Sequence, residues 1–377
     1  MTRNVSQVLI EQLGDWGVRH VFGVMGETIL DLANAIQHQD RVRLIATQTE
    51  QAAACAASAY GKWTGEPAAC LAPAGPGATS LMTGVYDAHS DRVPMLAITG
   101  EVRRSWQHTD AWQDIDELAL FEPVSVFNAQ VETPSQAPLL LAGALQSAIS
   151  RRGVAHLSVP VDIQAMEADV APIRPEGHLN WSVPVASDEA VRQAARMLEG
   201  ASRPLILAGS GARDAHGPLL QVARRLGAPI LTTCRSKGLF AGDEPLYMGI
   251  PGQMGLPLAD ALLREADTVL VVGCSLSQRT TANWQLIRPQ QQLIQIDIDP
   301  AHIGRIFAVE VGLWGDAGAT LRRLVSYLPE GPAPTAWGDL AGRKRAAMAQ
   351  VSHKATMESV PIKPQFAIQR LYEHAKD

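Results

Sequence analysis

The sequence predicts an α/β protein built as two doubly wound parallel-sheet domains joined by a linker. Three observations carry this. Short apolar runs alternate with helical patterns across residues 20–159 and again across 205–298. Several runs, such as 68–71 and 95–99, read as buried, as strands covered on both faces do. Between the two series, residues 166–187 lose periodicity and carry Pro172, Pro175 and Pro184, a linker composition.

Taken in order, residues 1–17 read as an amphipathic helix with Val5, Val8, Leu9 and Leu13 on one face. Glu11 and Asp15 interrupt it, which argues against a secretory signal. A strand at 20–23 runs into the turn Gly23-Val24-Met25-Gly26-Glu27, then a helix at 29–36. A strand containing Leu44 and Ile45 gives way to an Ala-rich helix at 52–63, with Glu50 at the junction. The strand 68–71, the turn Gly75-Pro76-Gly77, a helix and the strand 95–99 follow. A helix at 137–150 and a strand at 155–159 close the first domain, 1–165. Beyond the linker, Asp188 is expected to cap a helix ending near residue 198. Strands are expected at 205–208, 230–232, 268–272 and 293–298, with helices at 219–226 and 258–265, giving a middle domain at 188–328. Residues 329–377 read as a linker and the start of something further, with Arg343-Lys344-Arg345 as the solvated face of a helix.

Composition narrows the function. A chain of 377 residues with 46% hydrophobic content has enough apolar material for two cores. A net charge of −6 gives no reason to propose nucleic acid or an anionic membrane as partner. No apolar segment is long enough to span a bilayer. Cys55, Cys70, Cys234 and Cys274 are scattered, without a C-x-x-C pair. They read as buried small hydrophobes in a reducing cytoplasm, not as a zinc site or a disulfide frame.

Ligands in open α/β sheets bind at the carboxyl ends of strands. Glu50 stands at such an end. Alone, a Glu in the first turn of a helix does no more than favour the helix dipole.

The wider stretch, 44–102, changes its weight. It resembles the pyrimidine-binding domain of thiamin-diphosphate enzymes of the acetolactate synthase and pyruvate oxidase type. The resemblance rests on Glu50-Gln51-Ala52, Ala59-Tyr60, Thr64-Gly65, Gly75-Pro76-Gly77-Ala78-Thr79, Thr83-Gly84, Asp91, Pro94-Met95 and Ile98-Thr99-Gly100. It implies that Glu50 touches N1′ of the thiamin pyrimidine and shares a proton there. Gly26 and Gly75 then lie in turns close to the cofactor. Asp110-Ala111-Trp112-Gln113 resembles the family's D-A-F-Q, which makes Gln113 a polar contact beside the reaction centre. Met25 departs from the family's usual Pro, and Pro73 and Ala74 from its common hydroxyl residues. His108 reads as a surface histidine.

Residues 204–209, 226–229, 237–238, 266–267 and 297–300 resemble the middle domain of the same family, which holds FAD in some members, ADP in others and nothing in the rest. Gly209, Gly211, Gly252, Met254, Asp297 and Asp316 sit at the positions that meet a nucleotide in the binding members. Ser275 stands where FAD-binding synthases carry Arg. Pro361 to Tyr372 resembles the opening helix of the family's third domain. That domain carries a G-D-G and an Asn that hold Mg2+ and the diphosphate, and no G-D-G occurs here. The resemblance therefore implies a shared site: a homodimer through the first domain, thiamin diphosphate held on its pyrimidine side, and Mg2+ bound by a separate chain carrying the third domain. A split enzyme, a truncated chain and a chain that has lost activity all remain open. The expected chemistry is decarboxylation of a 2-keto acid and carboligation, as in acetolactate synthase. A related decarboxylase or oxidase, and a non-catalytic nucleotide-binding or scaffolding homologue, are the alternatives.

Overall fold

The computed structural model describes residues 3–356 and 359–375. The chain divides into two compact units between Trp181 and Ser182. The first opens with α1 (Val5–Asp15), whose Asn4 side chain accepts from the Gln7 N–H while the Gln7 side chain accepts in turn from the Asn4 N–H. This reciprocal cap satisfies two donors that a helix start otherwise leaves orphaned. There follow β1 (His20–Gly23), α2 (Leu30–Gln37), β2 (Arg43–Ala46), α3 (Glu50–Thr64), β3 (Ala68–Ala72), α4 (Pro76–Asp91) and β4 (Met95–Glu101). The unit is completed by α5 (Glu117–Phe121), β5 (Ser125–Gln130), α6 (Ala137–Arg151), β6 (Val154–Pro160) and α7 (Val161–Gln164).

The strands form one parallel sheet in the order β2-β1-β3-β4-β6-β5. The chain steps outward from β1 to β2 and then returns to place β3 on β1's other side. The carboxyl ends of β1 and β3 therefore flank a topological switch point, where open α/β sheets leave a crevice. One face buries Leu9, Leu13, Leu141 and Leu145 against Leu96 and Leu157. The other is built of small residues, among them Ala53, Ala54, Ala57, Ala78 and Ala88, so that α3 and α4 lie close. A Cβ on Gly84 would stand 2.4 Å from the Cys55 nitrogen. Lys62 joins the two helices through ion pairs to Asp87 and Asp91 at 2.5 and 2.7 Å.

The second unit contains α8 (Asp188–Gly200), β7 (Pro204–Ala208), α9 (His216–Leu226), β8 (Ile230–Thr232), α10 (Pro257–Glu265), β9 (Thr268–Val272), β10 (Gln292–Asp297), β11 (Val311–Trp314), α11 (Ala317–Val325), α12 (Leu340–Thr356) and α13 (Pro364–His374). Its parallel sheet runs β11-β10-β9-β7-β8, with the switch point between β7 and β9. Both domains are thus doubly wound α/β units. Among the described residues no helix is long and apolar enough to cross a membrane.

The structure corrects several local expectations. The expected strands do not include β5 and β11: β5 is interrupted by Asn128 and Gln130, and β11 is only four residues long. Both are edge strands, one half-buried and one alternating buried with exposed, and so escape a reading tuned to buried runs. Ser187, not Asp188, caps α8, its hydroxyl accepting from the Ala190 N–H. Cys55 and Cys234 are exposed, and only Cys70 and Cys274 are buried. The Arg343-Lys344-Arg345 patch is not simply solvated: Arg343 pairs with Glu265, and Lys344 donates to the Glu244 carbonyl. The early part of the Pro-bearing segment is strapped to the first unit, since Ile173 accepts from Trp16 Nε1 and donates to the Gln12 side chain.

Candidate functional site

The first unit's candidate site is set out along the carboxyl edge of its sheet. The Thr47 N–H donates to the Gly23 carbonyl, tying the end of β2 to the end of β1. Thr49 then caps α3, its hydroxyl accepting from the Ala52 N–H. Glu50 is the first residue of that helix. It is half-buried, and its carboxylate makes no hydrogen bond or ion pair among the described residues. Beyond β1, Gly26 lies against Pro73 of the β3–α4 turn, and a Cβ there would stand 2.7 Å from the proline ring. Met25 is exposed, and the Ala74 N–H donates to Thr28 Oγ1 at 2.8 Å.

Gly75 and Gln113 meet. Gly75 has φ +61, and a Cβ on it would stand 2.6 Å from the Gln113 carbonyl oxygen. Gln113 itself sits at φ +72, and the same loop places His108 and Asp110 at φ +62 and +57. Three non-glycine residues in the left-handed region of one loop mark a backbone held by its surroundings. The structure therefore brings Gly75 to Gln113 directly and sets Glu50 and Gly26 on the neighbouring strand ends. His108 is exposed.

Beside the Gln113 loop opens a cavity of about 260 Å³, lined by Glu101, Asp114, Asp116, Glu117 and Glu132 among others. Burial pushes the Glu117 carboxyl up to about 8, with the nearby Glu101 adding to the rise. The Ser158 hydroxyl, 3.1 Å from Glu117 Oε2, and the Gly75 N–H pull the other way and do not offset it, and Thr99 Oγ1 lies 2.5 Å from the same carboxyl oxygen. Burial likewise raises Glu101 to about 7, against the Val102 N–H that binds it and with Asp114 and Asp116 adding to the rise. Behind Thr99, His156 is buried and lowered to about 3 by burial alone. A search for strands by their apolar runs does not find these groups. The available signal was a polar side chain inside a buried run: Thr99 in β4, His156 and Ser158 in β6.

In the second unit, Gly209 and Gly211 follow β7 and pack on the turn after β9. A Cβ on Gly209 would meet the Gly273 carbonyl at 2.2 Å, and one on Gly211 the Gly273 Cα at 2.8 Å. Gly252, at φ +86, packs on the Arg279 carbonyl of the same β9 loop and donates to Asp260 Oδ1. Met254 is exposed. Asp297 ends β10, buried, accepting from the Asp299 N–H, and the Gly315 N–H donates to its carbonyl. Asp316 caps α11 by accepting from the Ala319 N–H at 2.8 Å. These glycines and Asp316 thus have structural work in backbone packing and capping.

An open parallel sheet with an unpartnered carboxylate and two glycine turns at its carboxyl edge, followed by a second doubly wound unit, defines a two-domain α/β protein whose first sheet has its ligand-binding edge at the ends of β1 and β3. Residues 3–120 match the family "Thiamine pyrophosphate enzyme, N-terminal TPP binding domain", and residues 191–324 match "Thiamine pyrophosphate enzyme, central domain". YdaP of Bacillus subtilis (strain 168), provisionally named as a thiamine pyrophosphate-containing protein, is 33% identical over all of this chain and 65% of its own length. The acetolactate synthase large subunit of Corynebacterium glutamicum is 34% identical, over 88% of this chain and 53% of its own. The pyruvate oxidase of Lactiplantibacillus plantarum is 31% identical, over 92% and 58%. The chain thus spans between about half and two thirds of the length of these relatives. It belongs to the thiamin-diphosphate enzyme family, through that family's N-terminal and central domains.

Proposed function

We propose that the first unit supplies the pyrimidine side of a thiamin-diphosphate site, and that the full enzyme decarboxylates a 2-keto acid and passes the remaining carbon unit to an acceptor, as acetolactate synthases do. The observation that carries this is Glu50: a half-buried carboxylate with no internal partner among the described residues, at a strand end beside the switch point. An acid/base group kept free of internal partners fits a ring nitrogen that must exchange a proton with it. Bound thiamin diphosphate supplies the electron sink for decarboxylation. Glu50 holds and returns the proton at the pyrimidine N1′. Gly26 and Gly75 keep the neighbouring turns thin enough for close approach, and Gln113 offers a polar side chain to the substrate.

Among the described residues no group of three or more His, Cys, Asp or Glu is placed to hold a metal ion. In this reading Mg2+ and the diphosphate are held by a separate chain carrying the family's third domain, a reading that rests on the resemblance of residues 361–372 to that domain's opening helix. Pairing of two first units into a homodimer is supported by Trp63 and Tyr86, 91% and 63% exposed on α3 and α4. In the second unit, the glycine turn at the switch point between β7 and β9, with buried Asp297 at the end of β10, supports a nucleotide, FAD or ADP. Four free cysteines suit a reducing, cytoplasmic setting.

The test is pyruvate turnover by the full enzyme with thiamin diphosphate and Mg2+. Glu50→Gln should lower kcat by roughly 10²–10⁴-fold, the usual worth of a positioned acid/base group. Undiminished turnover in that variant would overturn the reading.

A further inference from the structure

The polar groups behind the acidic cavity form a chain whose hydrogen-bond directions can be read one by one. Asn128 Nδ2 lies 2.6 Å from the Leu118 carbonyl. Only an N–H satisfies that oxygen, so the amide orientation is set and Oδ1 faces His156 Nδ1 at 2.7 Å. Nδ1 must then carry a proton. His156 is fully buried, with Phe121 stacked on its ring at 3.7 Å and 5°. Burial of this depth favours the neutral ring, which leaves Nε2 an acceptor. Thr99 Oγ1, 2.8 Å from Nε2, has a single hydrogen and gives it there. Its oxygen is now an acceptor, and it lies 2.5 Å from Glu117 Oε2. A carboxylate at that position would set two acceptors face to face. A carboxylic acid completes the chain, with Ser158 donating to a lone pair of the same oxygen at 3.1 Å.

We propose that Glu117 works as a carboxylic acid and is a positioning residue for the Gly75–Gln113 contact, heading a directed chain from Glu117 through Thr99, His156 and Asn128 to the carbonyl of its own neighbour, Leu118. The chain leaves α5 at Glu117, crosses β4, β6 and β5, and returns to α5 one residue later. It therefore fastens a five-residue helix that has little stability of its own. Gln113 lies four residues ahead of Glu117 and is held with left-handed backbone against Gly75. The remaining oxygen, Glu117 Oε1, is buried without a partner on a side chain 2% exposed. An uncharged carbonyl-type oxygen tolerates that far better than half of a carboxylate. Of the groups facing Glu117, Glu101 from β4 opposes a second negative charge, Asp114, Asp116 and Glu132 line the same cavity, His156 from β6 is neutral and exposed His108 lies on the cavity rim; the Gly75 N–H and the Ser158 hydroxyl favour a charge and are outweighed by burial. The positioning role rests on the reading of the first unit as a pyrimidine half-site, whereas the protonation does not.

The experiment uses the full enzyme and two substitutions. Glu117→Gln keeps a neutral side chain whose amide N–H donates to Thr99, and Glu117→Ala removes the donor. Backbone hydrogen exchange over residues 107–121 at pH 7 should match the wild type in Glu117→Gln and be at least tenfold faster in Glu117→Ala. Thiamin diphosphate affinity, by calorimetry with Mg2+, should change less than threefold in the first and weaken at least tenfold in the second. Infrared spectra in a Glu101→Gln background should show a protonated-carboxyl C=O band at pH 6–7 that Glu117→Gln removes. A missing band, or Glu117→Gln behaving as Glu117→Ala, overturns the proposal. An intact band and exchange pattern, with no cofactor binding by the wild type, would instead overturn the half-site reading and the positioning role with it.

Discussion

Glu101, Glu117 and His156 sit within one small volume, and their protonation sets how stability should follow pH. Both carboxyls are raised by burial, from the ordinary 4.5 to about 7 and about 8, so the native state holds their protons longer than the unfolded chain does. The stability they contribute is complete below pH 4.5 and lost as pH rises through 7 and 8. His156 is lowered from the ordinary 6.5 to about 3, so its contribution is present above pH 6.5 and lost as pH falls towards 3. Between pH 4.5 and 6.5 the trends oppose, and from 6.5 to 8 the carboxyls act unopposed. Urea unfolding of the first unit should show stability falling over pH 6.5–8 by on the order of 1–2 kcal/mol, a tenfold change in proton affinity being worth about 1.36 kcal/mol. Glu117→Gln should flatten that slope, and an equally steep slope in the variant would refute the assignment.

At the level of secondary-structure elements, the α3–α4 pair depends on the absence of side chains. A methyl on Gly84 would stand 2.4 Å from the Cys55 nitrogen and 2.5 Å from the Ala54 carbonyl carbon. Both are backbone atoms, so the helices themselves must part and the small-residue seam behind them must open. Gly84→Ala should destabilise the first unit by roughly 1–3 kcal/mol in chemical denaturation, the range for overpacking. Gly217 in α9 is the contrast, since a Cβ there meets nothing within 4 Å. Gly217→Ala should be neutral or stabilise by about 0.4–1 kcal/mol through the unfolded chain's lost freedom. Similar losses at both sites would show that propensity, not close approach, decides the Gly84 position.

Over the whole molecule, the two units hold the connecting segment from opposite ends. Ile173 is bonded to Trp16 and Gln12 of the first unit, while the Asp316 N–H of the second donates to the Pro184 carbonyl. Between these anchors Trp181 and Val183 are exposed, at 48% and 59%. Brief chymotrypsin treatment should therefore cut first near Trp181 and release two protease-resistant fragments, read by mass spectrometry. First cuts inside either sheet would contradict the division into independently cored units.

Residue pattern alone was enough for the fold class, the strands at the centre of both sheets and the position of Glu50 where a strand meets a helix. Central strands of parallel sheets are buried on both faces, so their burial is written in the chain as largely apolar runs. The edge strand β5 leaves no such mark, because it is covered only in part and Asn128 and Gln130 interrupt its apolar residues. The meeting of Gly75 with Gln113, and the chain from Glu117 to Asn128, were decided by tertiary structure only. Thr99, Glu117, Asn128 and His156 come from four separate elements, and their polarity acquires meaning only when the fold withdraws them together from water. Protonation follows from that withdrawal, since the free energy of a charge depends on what surrounds it and not on the residue that bears it.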